Sequence, residues 1–143
     1  MLTPLQKHLV QSTWEQVVPI ADQAAQLFYE RLFTIDPELR PLFSHGDLAE
    51  QRKKLMQMIT VAVRGLDRLG ELVPAVEALG RRHAGYHVRE RDYDTVGAAL
   101  LWTLEQGLGA AFTPEVREAW TLTYGALAGI MIGAQRSVSR AAA

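Results

Sequence analysis

His83 sits on a helix face otherwise built from aliphatic residues. Leu72, Val76, Leu79 and His83 fall at offsets of zero, four, seven and eleven, the spacing of one side of an α-helix. An imidazole in such a stripe is either a hydrogen-bonded core histidine or a nitrogen ligand for something buried beside the helix. His87 follows one turn later and Tyr93 is close enough in sequence to reach a ring nitrogen. Partners of that kind orient metal-bound imidazoles. The His83–His87 pair also raises a zinc site, which needs two further ligands from Glu90, Asp92 and Asp94. Gly85 is expected to end the helix between the two histidines, and neither His-Glu-x-x-His nor Glu-x-x-His occurs. Zinc is therefore the weaker reading.

Other chemistries find less support. The chain has no Gly-x-Ser-x-Gly elbow, no P-loop and no glycine fingerprint after a strand. It has no cysteine, which removes disulfides, thiolate metal sites, iron–sulfur clusters and cysteine nucleophiles. A formal net charge of -1 gives no basic field for nucleic acid or an anionic membrane. The start of the chain lacks the apolar core of a signal peptide, and the most apolar stretch, 119–134, is interrupted by Thr and Gly. A cytoplasmic protein without a membrane span is expected. At 143 residues, 48% hydrophobic and 22% charged, the chain reads as one domain over 1–143 with a tail frayed from about 137.

The elements that must position His83 read as helices. Thr3, Pro4 and Gln6 form a helix-start signature, followed by an apolar stripe of Leu5, Leu9, Thr13 and Val17 beside Trp14. A second helix carries Ile20, Ala24, Leu27, Phe28, Leu32 and Phe33 and ends before Asp36, which caps a short turn closing at Phe43. Asp47 and Glu50 mark the next start, with Leu48, Gln51, Leu55, Met58, Ala62 and Leu66 on one face. Pro74 lies early in the His83 helix. Asp92 or Asp94 opens a helix through Val96, Leu100, Leu104 and Leu108, stopped by Gly107 and Gly109. Thr113 and Pro114 start the last one, with Val116, Trp120, Leu127, Met131 and Ala134 inward. Gly125, Gly129 and Gly133 form a smooth ridge for close helix crossing inside the fold, or, as a lesser reading, a contact between two copies. The reading is all-α, with six or seven helices.

The motifs LFYERLF, DPELRPLF, QRKKLMQ, LGRRHAGYHV, DYDTVGAALL and AWTLTYGAL resemble, in order, those of the globins. The resemblance is nearest to bacterial single-domain globins similar to the haem domain of flavohemoglobins. It implies a globin fold of six to eight helices around a pocket for haem b (iron protoporphyrin IX). His83 then looks like the proximal iron ligand. Phe43 matches the phenylalanine that packs flat on the porphyrin, and Tyr93 the tyrosine that hydrogen-bonds near the proximal histidine. Val88 and Val96 join the haem-contacting set, with Lys54 and His87 as partners for the propionates. On the other side the resemblance implies Tyr29, Gln51 and Leu55 as the distal pocket. Gln51 and Leu55 are one turn apart and can share a face. With Gln51 where many globins carry histidine, the sixth iron site is expected to be open or water-filled.

Two departures bear on function. Flavohemoglobins continue into a reductase module, and the glutamate of their Tyr–His–Glu network appears here as Gln135. A neutral amide gives His83 less anionic character, which weakens the electron push toward oxygen activation. The resemblance thus implies reversible binding of dioxygen, or another diatomic gas such as CO or NO, for storage, transport or sensing. A nitric oxide dioxygenase or nitrite reductase served by a separate reductase is the alternative, and a haem-free helical module is disfavoured by His83. A monomer or weak homodimer is expected. Replacing His83 by Ala is expected to abolish normal haem binding, checked as stoichiometric haem uptake in the absorption spectrum.

Overall fold

Side chains close the two helix starts that carry a Thr-Pro signature. The computed structural model describes residues 2–43, 48–85 and 88–142. Thr3 caps α1 (Pro4–Val17): its hydroxyl accepts from the Gln6 N–H at 3.1 Å, and the Gln6 side chain accepts from the Thr3 N–H at 3.0 Å. Thr113 caps α6 (Pro114–Ala142) by accepting from the Val116 N–H at 3.2 Å. Such caps satisfy amide groups that have no partner in the first turn. Between them run α2 (Ala21–Ile35), α3 (Leu48–Arg64), α4 (Leu69–Gly85) and α5 (Glu90–Leu108). Short 3-10 turns occupy Val18–Ile20, Pro37–Phe43, Leu66–Arg68 and Gly109–Ala111. The all-α expectation holds, with six α-helices and no strand among the described residues. None of these helices is long and apolar enough to cross a membrane.

Several boundaries differ from the sequence pattern. α3 stops at Arg64 because the chain turns at Gly65, so Leu66 leaves the α3 face and is buried in the following turn. A Cβ on Gly65 would stand 2.7 Å from Leu72 Cδ1, which shows how tightly α4 folds back at this point. α4 begins at Leu69, so Pro74 lies early in it, as expected, but within the helix. Arg89, not Asp92 or Asp94, is the N-cap residue of α5. Asp92 serves from the third helical position, accepting from the Arg89 N–H at 2.8 Å while its carboxylate pairs with the Arg89 guanidinium at 3.0 Å. The same guanidinium reaches Asp36 at 3.6 Å, joining the end of α2 to the start of α5. Gly109 ends α5 with φ +56, a conformation that strains any L side chain. α6 continues through residue 137 to Ala142. The expected Asp47 cap lies outside the described residues.

Two tryptophans organise the core. Trp14 of α1 and Trp120 of α6 lie with ring centroids 5.8 Å apart and planes tilted by 57°. A buried indole N–H must find an acceptor. Trp120 donates to Thr13 Oγ1 and Trp14 to Thr60 Oγ1, both at 2.9 Å. Both threonine hydroxyls in turn donate to helix carbonyls, Thr13 to Leu9 at 2.6 Å and Thr60 to Met56 at 2.7 Å. Two short hydrogen-bond chains therefore tie α1 to α6 and α1 to α3 inside an apolar cluster. Ala24, Ala25, Phe28 and Leu32 of α2 and Ala99, Leu100 and Leu104 of α5 belong to the same cluster.

α4 lies along α6, and the contact is made by a glycine outside the expected ridge. A Cβ at Gly80 would fall 2.4 Å from the Met131 carbonyl oxygen and 2.7 Å from its Cα. At Gly125, Gly129 and Gly133 a Cβ would meet nothing within 4 Å. The ridge of three is thus not a crossing point within the chain, and the expectation of close packing there is overturned. Gly80→Ala is expected to lower stability by about 1–3 kcal/mol through backbone displacement. Gly129→Ala should instead raise it by about 0.5–1 kcal/mol through helix propensity. Thermal or denaturant unfolding of the two variants checks both signs.

Candidate functional site

His83 is carried by the last turn of α4. The whole stripe of Leu72, Val76, Leu79 and His83 is half-buried. His83 Nδ1 lies 2.7 Å from the Leu79 carbonyl oxygen, one turn back on the same helix. A carbonyl only accepts, so Nδ1 carries the proton and donates. Burial holds the imidazole below its ordinary pKa of 6.5; the bond to Leu79 pulls the other way, and the Arg82 charge lowers it further. At neutral pH the ring is therefore uncharged, with its lone pair on Nε2. That is the electronic state in which a histidine binds a transition metal.

α5 supplies the neighbour of this ring. Tyr93 is 5% exposed, and its ring stacks beside that of His83 at 6.1 Å with a 27° interplanar angle. Its hydroxyl does not bond a histidine nitrogen. It donates to Gln135 Oε1 of α6 at 2.7 Å. The Gln135 amide then donates from Nε2 to the Val88 carbonyl. Tyr124, also on α6, donates its hydroxyl to the Tyr93 carbonyl at 2.6 Å. α4, α5 and α6 therefore meet around His83 through aromatic contact and uncharged hydrogen bonds. Sequence reasoning missed Tyr124, although it stands within the AWTLTYGAL motif.

Tyr29 belongs to a separate aromatic group on α2. It is 5% exposed, edge-on to Phe28 at 5.2 Å and tilted against Phe33 at 6.0 Å. Burial pushes its hydroxyl pKa up to about 12, with the Arg52 cation opposing part of the rise. The hydroxyl thus keeps its proton, and its power to donate, far above neutral pH. Tyr29 and Phe33 line a cavity of about 460 Å³ together with Arg40, Leu48 and Arg52. The α3 side chains on this cavity are thus Leu48 and Arg52. Gln51 and Leu55 occupy the adjoining face of α3, both half-buried, with Leu55 packed against the apolar core. Arg52 is not among the residues expected from the sequence.

The remaining expected residues divide by burial. Val88 and Val96 are half-buried, Val96 against the core, whereas Lys54 is exposed. Phe43 closes the Pro37–Phe43 turn; its side chain, and all of His87, lie outside the described residues. No cluster of three or more His, Cys, Asp and Glu suited to a metal ion occurs among the described residues.

The profile of the globin family matches residues 26–131, a span that includes His83, Tyr29, Gln51 and Tyr93. The chain is 33% identical over its whole length to a flavohemoprotein of Bordetella parapertussis, covering 36% of that protein. It is similar also to the flavohemoproteins of Vibrio cholerae, at 33% identity over 92% of this chain and 34% of the relative, and of Bacillus subtilis, at 30% over 87% and 33%. The chain thus spans about a third of the length of the curated relatives it matches. With the family profile on the same helices that bring His83, Tyr93 and Gln135 together, this chain belongs to the globin family.

Proposed function

We propose that this chain holds haem b through His83 and uses it to bind dioxygen reversibly, for oxygen binding, storage or transport. The observation that carries the reading is the donor state of His83: a half-buried, uncharged imidazole with Nδ1–H fastened to the Leu79 carbonyl. That donor set fits a ligand for haem iron, because the basic nitrogen would be Nε2 and the Nδ1–H bond to Leu79 orients the ring. Phe43, Val88, Tyr93 and Val96 form the remaining haem-contacting set in this proposal, with Lys54 and His87 toward the propionates.

When bound, haem supplies a ferrous iron able to share electron density with dioxygen, carbon monoxide or nitric oxide. The chain's own residues then set how long the gas stays. Tyr29, together with Gln51 of α3, is the proposed donor to the negative charge that develops on the ligand, and Leu55 is proposed to limit water. Each such bond contributes roughly 1–3 kcal/mol, about tenfold or more in the rate of loss. His83 donates to a neutral carbonyl and Tyr93 to a neutral amide, so neither neighbour loads the imidazole with negative charge. This favours gas retention over oxygen activation.

A second reading has one observation in its favour. The relatives are flavohemoproteins, whose name carries a flavin as well as a haem. Oxidation of nitric oxide to nitrate, or reduction of nitrite, with electrons from a separate reductase would use the same pocket. Absorption spectra of the haem-reconstituted protein, ferric, reduced, then exposed to air and to carbon monoxide, separate the two. A lasting spectrum in air supports reversible binding; immediate oxidation favours redox turnover; no stoichiometric haem uptake overturns the role of His83.

Tyr29→Phe is expected to speed oxygen loss about tenfold, measured by stopped-flow displacement. In the unaltered protein the same rate should stay level from about pH 7 to 10, since the Tyr29 hydroxyl loses its proton only near a pKa of about 12. It should rise toward the variant's rate only as the pH approaches that value.

A further inference from the structure

We propose that the cavity beside Tyr29 binds a planar, singly charged oxyanion between the guanidinium groups of Arg40 and Arg52. Arg52 stands on α3 one turn beyond Leu48, and Arg40 lies in the Pro37–Phe43 turn. Two separate elements thus bring positive charge to one space of about 460 Å³. Arg52 is half-buried, and its cation is close enough to Tyr29 to act on the hydroxyl. Arg40 rests its guanidinium over the Phe33 ring, 5.4 Å from the centroid, which holds that group at the cavity wall. Other arginines of this chain are neutralised where they lie: Arg64 by Glu15, Arg89 by Asp92 and Asp36, Arg136 by Glu90. Among the described residues neither Arg40 nor Arg52 has a carboxylate within ion-pair distance. Two like charges that share a cavity repel each other, and an anion between them turns that cost into attraction.

The walls select the ligand. A guanidinium is a flat fork of N–H donors, matched by an ion whose oxygens lie in one plane. The Glu30 carboxylate lines the same cavity and offsets one of the two cations. The remaining charge suits a monoanion and opposes the second charge of sulfate. Phe33 and Leu48 add apolar wall, against which a strongly hydrated ion loses more than a weakly hydrated one. The Tyr29 hydroxyl keeps its proton and adds an uncharged donor to the same lining. Nitrate, nitrite and small carboxylates share the chemistry that these groups recognise. Binding of such an ion does not rest on the proposed haem chemistry. Only a use for it as the nitrate or nitrite of the second reading does.

The test follows the arginine Nε–H signals of the full chain by NMR while sodium nitrate replaces sodium chloride at constant ionic strength. Haem-loaded protein is kept reduced under carbon monoxide, so that the iron is closed to the anion. The protein as purified serves if wild type takes up no haem. The Arg40 and Arg52 signals are expected to move and to saturate at millimolar nitrate. Arg52→Gln and Arg40→Gln should each weaken that binding about tenfold, read on the signal that remains. Arg64→Gln, whose pair with Glu15 lies outside the cavity, should leave it unchanged. Acetate is titrated in the same way. Saturation at lower nitrate than acetate assigns an inorganic ion, the reverse assigns a small carboxylate, and either supports the site. Sulfate should bind at least about tenfold more weakly than nitrate. A shift that stays linear, or that saturates equally in both variants, overturns the site. Sulfate binding as tightly as nitrate overturns the ligand class. If Arg52→Gln does not fold, Arg40→Gln, at an exposed position, decides the question.

Discussion

Everything at the site depends on how closely α4 can lie against α6, and that distance is set at Gly80. The backbone of Met131 occupies the space where any other residue at 80 would carry its Cβ. With the helices in that contact, one turn further along α4 comes His83 and one turn further along α6 comes Gln135. The geometry of the histidine thus depends on this main-chain contact as well as on its own bond to the Leu79 carbonyl. Were the helices held apart by a methyl group, the Gln135 amide would no longer reach both Val88 and Tyr93. The site is built from short hydrogen bonds that tolerate little displacement.

Three hydrogen bonds near His83 share a character: each runs between uncharged groups. A carbonyl accepts the imidazole proton, an amide oxygen accepts from Tyr93, and the Tyr93 carbonyl accepts from Tyr124. Buried neutral pairs cost little to assemble, whereas a buried carboxylate would require compensation. Charge is kept at the margins of this region, in the Arg89–Asp92–Asp36 group and the Arg136–Glu90 pair, where guanidinium groups at the surface fasten α5 to its neighbours.

What could be read from the sequence were features whose physics is local. The Thr-Pro starts at Thr3 and Thr113 need only the next few residues, and both form. The period of the His83 stripe and the stop at Gly109 are equally local, and both are found. The misplaced features are those settled by tertiary contact. Asp92 resembles a cap, but the Arg89 guanidinium draws its carboxylate and makes it the partner instead. Leu66 continues the apolar period of α3, yet the chain turns at Gly65 so that α4 can fold back. Three glycines at regular spacing suggest a crossing, while the crossing is made by the single Gly80, whose surroundings hold no periodic mark. Gln135 is visible in the sequence as a departure from the glutamate of similar proteins. Its hold on Val88 is not, because the residues lie far apart in the chain and nothing in either type announces the pairing.

The tryptophan arrangement also determines what light reports about this protein. The sequence contains three tryptophans. Two form the tilted Trp14–Trp120 pair inside the core, and the third, Trp102, lies half-buried on α5 beneath the Arg31 guanidinium at 5.0 Å. The pair is close enough for its electronic transitions to couple, so near-ultraviolet circular dichroism is weighted toward one event, the docking of α1 on α6. Trp102 senses the separate approach of α2 to α5. Optical unfolding curves of this chain therefore read two helix interfaces, and where they diverge the two halves of the bundle are separating at different stages.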